Sequence, residues 1–115
     1  MKKTIAILLP YKEKYTLNDA AAASIWVKDY LKESHLNNQT IVFGNLPPNK
    51  RPLTSNFLNI SLSMVKFKKN HFYTKRFYEK YNKYNFEIVE IHNRPESLVF
   101  LLKKKIKLQT YICLS

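Results

Sequence analysis

Five short apolar stretches alternate along the chain with stretches in which apolar residues recur at helical spacing. The apolar stretches, predicted to be strands, cover residues 4–9, 39–43, 57–62, 86–91 and 108–114. The stretches with helical spacing cover residues 20–33, 70–84 and 95–105. A continuous apolar run predicts a strand buried on both faces, whereas spacing of three to four predicts a helix packed against the sheet. The predicted order is therefore β-α-β-β-α-β-α-β, which favours a parallel sheet with right-handed crossovers.

The predicted fold class is α/β, a single Rossmann-like domain over residues 1–115 with an open, mostly parallel sheet and helices on both faces. The last predicted strand, 108–114, is apolar and no helix follows it in the sequence. A doubly wound sheet normally covers both faces of such a strand. We therefore expect the domain to be incomplete at its C-terminal end, or to be covered there by another chain.

The predicted helix 70–84 carries aromatic residues at helical spacing. These residues are Tyr73, Phe77, Tyr81 and Tyr84. The pattern favours a face buried in the core over a platform for stacking a ligand. Three prolines within residues 45–55 predict an irregular loop before the third strand.

The formal net charge of the chain is +12. The lysines are dispersed along the sequence, which favours solvated faces over a docking surface. Anionic lipid or a phosphate-bearing substrate is the second interpretation. Nucleic acid ranks third, and we expect no nucleic-acid partner, because such binders normally cluster their basic residues.

Composition narrows the kinds of site that the chain can hold. Gly44 is the sole glycine, which argues against a P-loop or a G-x-G-x-x-G site. No His, Cys or carboxylate pair shows metal-ligand spacing, so neither a metal nor another cofactor is expected. Cys113 is the sole cysteine, which excludes an internal disulfide and fits a reducing compartment. The apolar run before Pro10 is too short for a signal peptide, and we expect a cytoplasmic protein.

The strongest functional candidate is His92, at the end of the fourth predicted strand, followed by Asn93 and Arg94. In an open α/β sheet, ligands bind at the carboxyl ends of the strands, where the imidazole would open onto a crevice. An imidazole there can donate to a sugar hydroxyl or act as an acid or base. Arg94 can grip a phosphate or carboxylate. The alternative is a loop in which Asn93 caps the next helix and Arg94 is solvated.

A second candidate site lies where the first loop meets the first helix. Asn18, Asp19 and Ser24 are its polar residues, and the helix N-terminus would present free N–H groups to an anion. The alternative is a capped helix whose small residues simply pack on the sheet.

Three segments together resemble a known family. Residues 5–10 (IAILLP), 22–27 (AASIWV) and 88–95 (IVEIHNRP) match, in order and spacing, the N-terminal domain of a family 4 glycosyltransferase of the GT-B fold. The last segment is the most specific of the three.

The resemblance implies an enzyme with two Rossmann-like domains that face each other across a cleft. The N-terminal domain binds a glycan or lipid-linked acceptor, and the C-terminal domain, missing here, binds the nucleotide-sugar donor. The family's histidine falls on His92 as the catalytic residue in contact with sugar or phosphate. The family's glycine-rich first loop falls on residues 18–23, where alanines replace the usual glycines. The implied role is polysaccharide or lipopolysaccharide synthesis, with peripheral docking at the inner membrane face, and this chain alone would be inactive.

Two other classes remain open. One is a non-catalytic α/β binding module or a remnant without transferase activity. The other, ranked third, is a signalling domain like flavodoxin or a response regulator. A regulator needs acidic residues after its first strand and an aspartate at a strand end, where this chain has Pro10, Tyr11, Lys12 and His92.

Overall fold

The computed structural model describes residues 3–17, 22–84, 86–92, 95–104 and 110–114, with residues 22, 95 and 110–114 described by their backbone alone. The elements in chain order are β1 (Ile5–Leu8), α1 (Ala22–Glu33), a 3-10 helix (Asn37–Gln39), β2 (Thr40–Gly44), β3 (Phe57–Asn59), α2 (Lys69–Tyr81), β4 (Ile88–His92), α3 (Pro95–Lys103) and β5 (Thr110–Leu114). The predicted order of strands and helices is confirmed.

The strands form one sheet in the order β3-β2-β1-β4-β5, and all neighbouring pairs are parallel. β1 lies in the centre, where Ile7 pairs with Val42 of β2 on one side and with Glu90 of β4 on the other. The predicted α/β, Rossmann-like, open parallel sheet is confirmed. Whether the domain is complete at its C-terminal end stays a prediction.

The side chains of the central strands divide between two apolar clusters because successive residues point to opposite faces of a sheet. The cluster under α1 contains Ile5, Ile7, Leu9, Val27, Leu31 and Val42. The cluster under α2 and α3 includes Ala6, Leu8, Phe43, Phe77, Val89 and Leu101. Helices therefore cover both faces of the sheet, which explains why the strands read as continuous apolar runs.

The aromatic stripe of α2 belongs to the core, as predicted. Tyr73 and Phe77 are buried, and Tyr81 and Tyr84 pack partly buried against the same cluster. The helix ends at Tyr81, three residues earlier than predicted. The N–H groups of Lys83 and Tyr84 donate to carbonyls three residues earlier in the chain, which tightens the last turn out of α-helical geometry.

β3 is shorter than the predicted strand over 57–62, because its partner β2 ends at Gly44. The N–H of Ile60 donates to the carbonyl of Gly44 at 2.7 Å, and beyond it no residue of β2 remains to pair. The side-chain oxygen of Asn59 accepts from the N–H of Leu46 at 2.7 Å, which joins the chain after β3 to the loop after β2.

Tyr73 anchors α2 to the carboxyl ends of β1 and β2. Its hydroxyl donates to the carbonyl of Leu9 at 2.6 Å and lies 3.4 Å from the carbonyl of Phe43. Burial raises the pKa of Tyr73 well above its usual value, so the hydroxyl keeps its proton.

We expect Tyr73→Phe to lower the free energy of unfolding by about 1–2 kcal/mol, because a buried carbonyl loses its donor. Urea denaturation measures this change, and Tyr78→Phe on the half-buried side of the same helix is the matched control. Equal stability of the two variants would show that the hydroxyl is not an anchor.

Candidate functional site

The candidate site lies where the sheet's crossovers diverge, between β1 and β4. The connection from β1 to β2 runs through α1 on one face, and the connection from β3 to β4 runs through α2 on the other. In open α/β sheets such a divergence leaves a crevice outside the carboxyl ends of the two strands. β1 and β4 are direct neighbours, paired from Ile5 with Ile88 to Leu8 with Ile91. The carboxyl ends of the first and fourth strands therefore lie side by side.

Two ionisable side chains of β4 lie on the α1 face of the sheet. Val89 and Ile91 enter the core under α2 and α3, so the alternation of the strand turns Glu90 and His92 the other way. Glu90 is 7% exposed and His92 is 4% exposed. His92 Nε2 lies 3.7 Å from Glu90 Oε1, which is too far for a hydrogen bond. Nε2 has no hydrogen-bond partner among the described residues.

Burial moves the pKa values of the two groups in opposite directions. It raises the pKa of the Glu90 carboxyl to about 7. It also lowers the pKa of the His92 imidazole, and the charge of Glu13 opposes that shift only in part. The uncharged forms of both groups are therefore favoured in the folded protein. A carboxyl that titrates near neutrality beside a neutral imidazole can accept or release a proton at physiological pH.

The start of α1 contributes a hydroxyl and a second carboxylate. Ser24 is fully buried in the first turn of the helix. Its N–H and its hydroxyl both donate to Glu13 Oε2, at 3.1 Å and 2.6 Å. A carboxylate at this position interacts favourably with the positive end of the helix dipole. Glu13 thus joins the loop after β1 to α1, and its charge also acts on His92.

The His92 ring is packed against the indole of Trp26. The two ring centroids are 5.5 Å apart, and Trp26 also stacks on Tyr30 at 5.4 Å with an angle of 3° between the ring planes. Trp26 itself is 45% exposed. The imidazole therefore lies below the surface instead of opening onto solvent as expected, and a ligand reaches it only if a neighbouring side chain such as Trp26 moves.

Family models, curated proteins and solved structures give no match to this chain. The geometry of the site therefore carries the functional argument.

Of the residues predicted for the site, Ser24 donates hydrogen bonds to Glu13, and the charge of the same Glu13 raises the pKa of His92. Both lie on the α1 face, one at the end of β4 and the other at the start of α1. The remaining predicted residues, Asn18, Asp19, Asn93 and Arg94, lie outside the described part of the chain.

Three residues of this cluster were not predicted from the sequence. Glu90 could have been found, because a carboxylate inside an apolar strand, two residues before His92, falls on the same face as the histidine. Trp26 and Glu13 carry no comparable signal. Trp26 fits the apolar face of α1, and Glu13 is one of several charged residues in a loop.

Within the described part of the chain, no group of three or more His, Cys, Asp or Glu side chains could hold a metal ion. The described helices also include none with the length and apolar character needed to cross a membrane.

Proposed function

We propose that this domain is the acceptor-binding half of a GT-B glycosyltransferase. In the complete enzyme it would hold a glycan or lipid-linked acceptor while a second domain supplies a sugar from a nucleotide-sugar. The observation that carries the proposal is the buried Glu90–His92 pair beside the crossover point of a parallel sheet, with Glu13 and Ser24 at the adjoining helix start. The resemblance of residues 88–95 to the family's strand end adds to it.

The chemistry of the pair suits an acceptor hydroxyl. Because burial lowers the pKa of His92, the imidazole stays in its basic form at neutral pH and can accept a proton or a hydrogen bond. Its Nε2 lacks a partner among the described residues. Buried polar atoms normally have a partner, and a ligand hydroxyl would supply one. In this role His92 orients or polarises the hydroxyl, and Arg94, two residues later in the sequence, would bind negative charge.

The net charge of +12 fits a cytoplasmic enzyme that docks peripherally on anionic lipids of the inner membrane face. Sugar transfer there belongs to the synthesis of cell-surface polysaccharide or lipopolysaccharide.

A non-catalytic binding module is the second candidate, and the burial of His92 favours it. A ring that is 4% exposed can serve the packing of Trp26 without any chemistry. The two candidates differ in whether His92 changes the binding of a sugar.

Saturation-transfer NMR on this chain tests the proposal with a panel of free hexoses and hexosamines, and with UDP-glucose and GDP-mannose. We expect saturation transfer from the protein to at least one free sugar and to neither nucleotide-sugar, because the donor site belongs to the second domain. His92→Gln should remove the sugar signal, because it removes the imidazole that contacts the hydroxyl. His35→Gln, at an exposed histidine after α1, should keep it.

Two results would contradict the proposal. A sugar signal that survives in His92→Gln would leave the buried pair without a role in binding. Donor binding without any sugar binding would contradict the assignment of this domain to the acceptor side.

A further inference from the structure

A second groove opens at the same edge of the sheet, outside the carboxyl ends of β1, β2 and β3. Its volume is about 660 Å³. We call it the lysine groove, after the three lysines that line it, Lys12, Lys14 and Lys69. Its other polar lining residues include Asn45, Asn59 and Ser63. It adjoins the candidate site through the loop that follows β1.

The described lining of the lysine groove has three ammonium groups and no carboxylate. All three lysines are exposed. Glu13 lies between Lys12 and Lys14 in the sequence, but its carboxylate is bound to Ser24 on α1. The loop after β1 therefore separates its charges, with its two lysines in the groove and its carboxylate at α1.

The N-terminus of α2 adds to the positive potential of the groove. The helix begins at Lys69, one of the lining residues, and Lys68 before it has a left-handed backbone with φ of 49°. No side-chain cap hydrogen bond forms at this helix start within the described chain. The first-turn N–H groups and the dipole of a 13-residue helix thus favour an anion at the rim of the groove.

A neighbouring groove of about 460 Å³ extends the basic surface. It shares Asn59 and Ser61 with the lysine groove and adds Arg76, Lys80 and Lys83, with Glu79 as its one carboxylate among the described lining residues. The guanidinium of Arg76 donates to the carbonyl of Ser61, which holds it next to the shared wall.

We propose that the lysine groove binds a phosphate or diphosphate ester carried by the acceptor. This inference rests on the proposed function and names the chemical class of its acceptor. Ammonium groups act as point charges for phosphate oxygens, and the amide of Asn45 and hydroxyl of Ser63 can donate to the same oxygens. Tyr11 and Pro47 line the groove as well and offer apolar contact to the rest of the ligand. A soluble sugar phosphate and a lipid-linked diphosphate share this chemistry.

Isothermal titration calorimetry with pyrophosphate at low ionic strength tests the groove directly. The combined variant Lys12→Gln, Lys14→Gln, Lys69→Gln should weaken pyrophosphate binding about tenfold or more. The matched control is Lys28→Gln, Lys32→Gln, Lys103→Gln, which removes the same charge at exposed positions of α1 and α3. We expect the control to change the affinity less than about twofold.

Two further probes separate the sources of the phosphate group. One is glucose 1-phosphate in solution. The other is a vesicle of phosphatidylcholine with a minor fraction of prenyl diphosphate, compared with a vesicle of equal charge made with phosphatidylglycerol. Binding of glucose 1-phosphate that depends on the groove lysines indicates a soluble sugar phosphate. Binding of the prenyl diphosphate vesicle that depends on them indicates a lipid-linked diphosphate. If both triple variants lost the same affinity for the phosphate probes, the effect would come from overall charge and the proposal would be wrong. The proposal would also be wrong if the original chain bound none of the phosphate probes.

The outcome is separable from that of the proposed function. Sugar binding that depends on His92, without pyrophosphate binding, refutes the lysine groove alone. Pyrophosphate binding that depends on the groove lysines, without sugar binding, leaves an anion site in a domain that is not an acceptor half.

Discussion

Replacement of His92 by alanine is expected to lower sugar transfer about 100-fold or more, in an enzyme that joins this domain to a donor-binding domain. In the proposed function the imidazole accepts the proton of an acceptor hydroxyl once Trp26 has moved aside, and alanine cannot replace it. The loss of stability should be smaller, about 1–2 kcal/mol, because Nε2 makes no hydrogen bond within the described residues and the change removes mainly packing against Trp26. Initial rates with a nucleotide-sugar donor measure the first effect, and urea denaturation measures the second.

The pH–rate profile distinguishes a chemical role of His92 from a structural one. Burial lowers the pKa of His92 below its ordinary value of 6.5. The midpoint of the acidic limb of the profile should therefore lie below that pH. His92→Gln fills a similar volume; it should lower the rate at every pH, and its residual rate should lack this limb. His35→Ala at an exposed site should leave both the rate and the limb unchanged. Full turnover in His92→Ala would end the assignment of His92 as the catalytic residue.

Replacement of Glu90 by glutamine is expected to stabilise the domain at alkaline pH and to have little effect at acidic pH. The pKa of Glu90 rises from 4.5 to about 7 on folding because the carboxyl is buried. Between these two values the folded state binds more protons than the unfolded state, so the free energy of unfolding falls as the pH rises. Glutamine carries no charge at any pH and escapes this loss. The shift corresponds to a gain of up to about 3 kcal/mol for the variant above pH 7.

Urea denaturation at about pH 5 and about pH 8 measures the effect. The gain of Glu90→Gln over the original chain should be below about 1 kcal/mol at the lower pH, where the carboxyl has begun to ionise in the unfolded state, and largest at the higher one. Glu87→Gln is the matched control, because Glu87 is exposed on the chain just before β4, and its effect should not change between the two conditions. If Glu90→Gln destabilised the domain equally at both pH values, the carboxylate would be a bound partner in the fold and not a desolvated group.

Both predictions concern the α1 face of β4. On that face the sequence analysis identified His92 but not Glu90. His92 could be found because it ends an apolar run, and in parallel sheets that position faces the ligand edge. Its burial could not be found, because it depends on Trp26 of a different element lying 5.5 Å away. The acid–base character of the pair depends on that burial.

The loop after β1 also makes contacts that the sequence could not predict. Tyr15 in this loop is fully buried. Its hydroxyl shares a hydrogen bond of 2.9 Å with the hydroxyl of Thr54, and its ring stacks on Phe57 with the centroids 5.7 Å apart. These partners lie far along the chain, so no local pattern could reveal them. The lysine groove is a similar case, because Lys12 and Lys14 follow β1 whereas Lys69 begins α2. Spread along the sequence, these lysines favoured an interpretation as solvated positions.

The pattern of apolar runs and helical spacing was sufficient by itself to determine the parallel α/β architecture, because a strand buried on both faces needs a helix on each. It also determined that an imidazole ends the fourth strand. Only the tertiary structure decided that this imidazole lies buried beside a carboxyl, that Glu13 turns towards α1, and that lysines from two distant segments line one groove. The physical reason is that burial and charge proximity depend on strand order and on the face each crossover takes, and these are properties of the packed sheet.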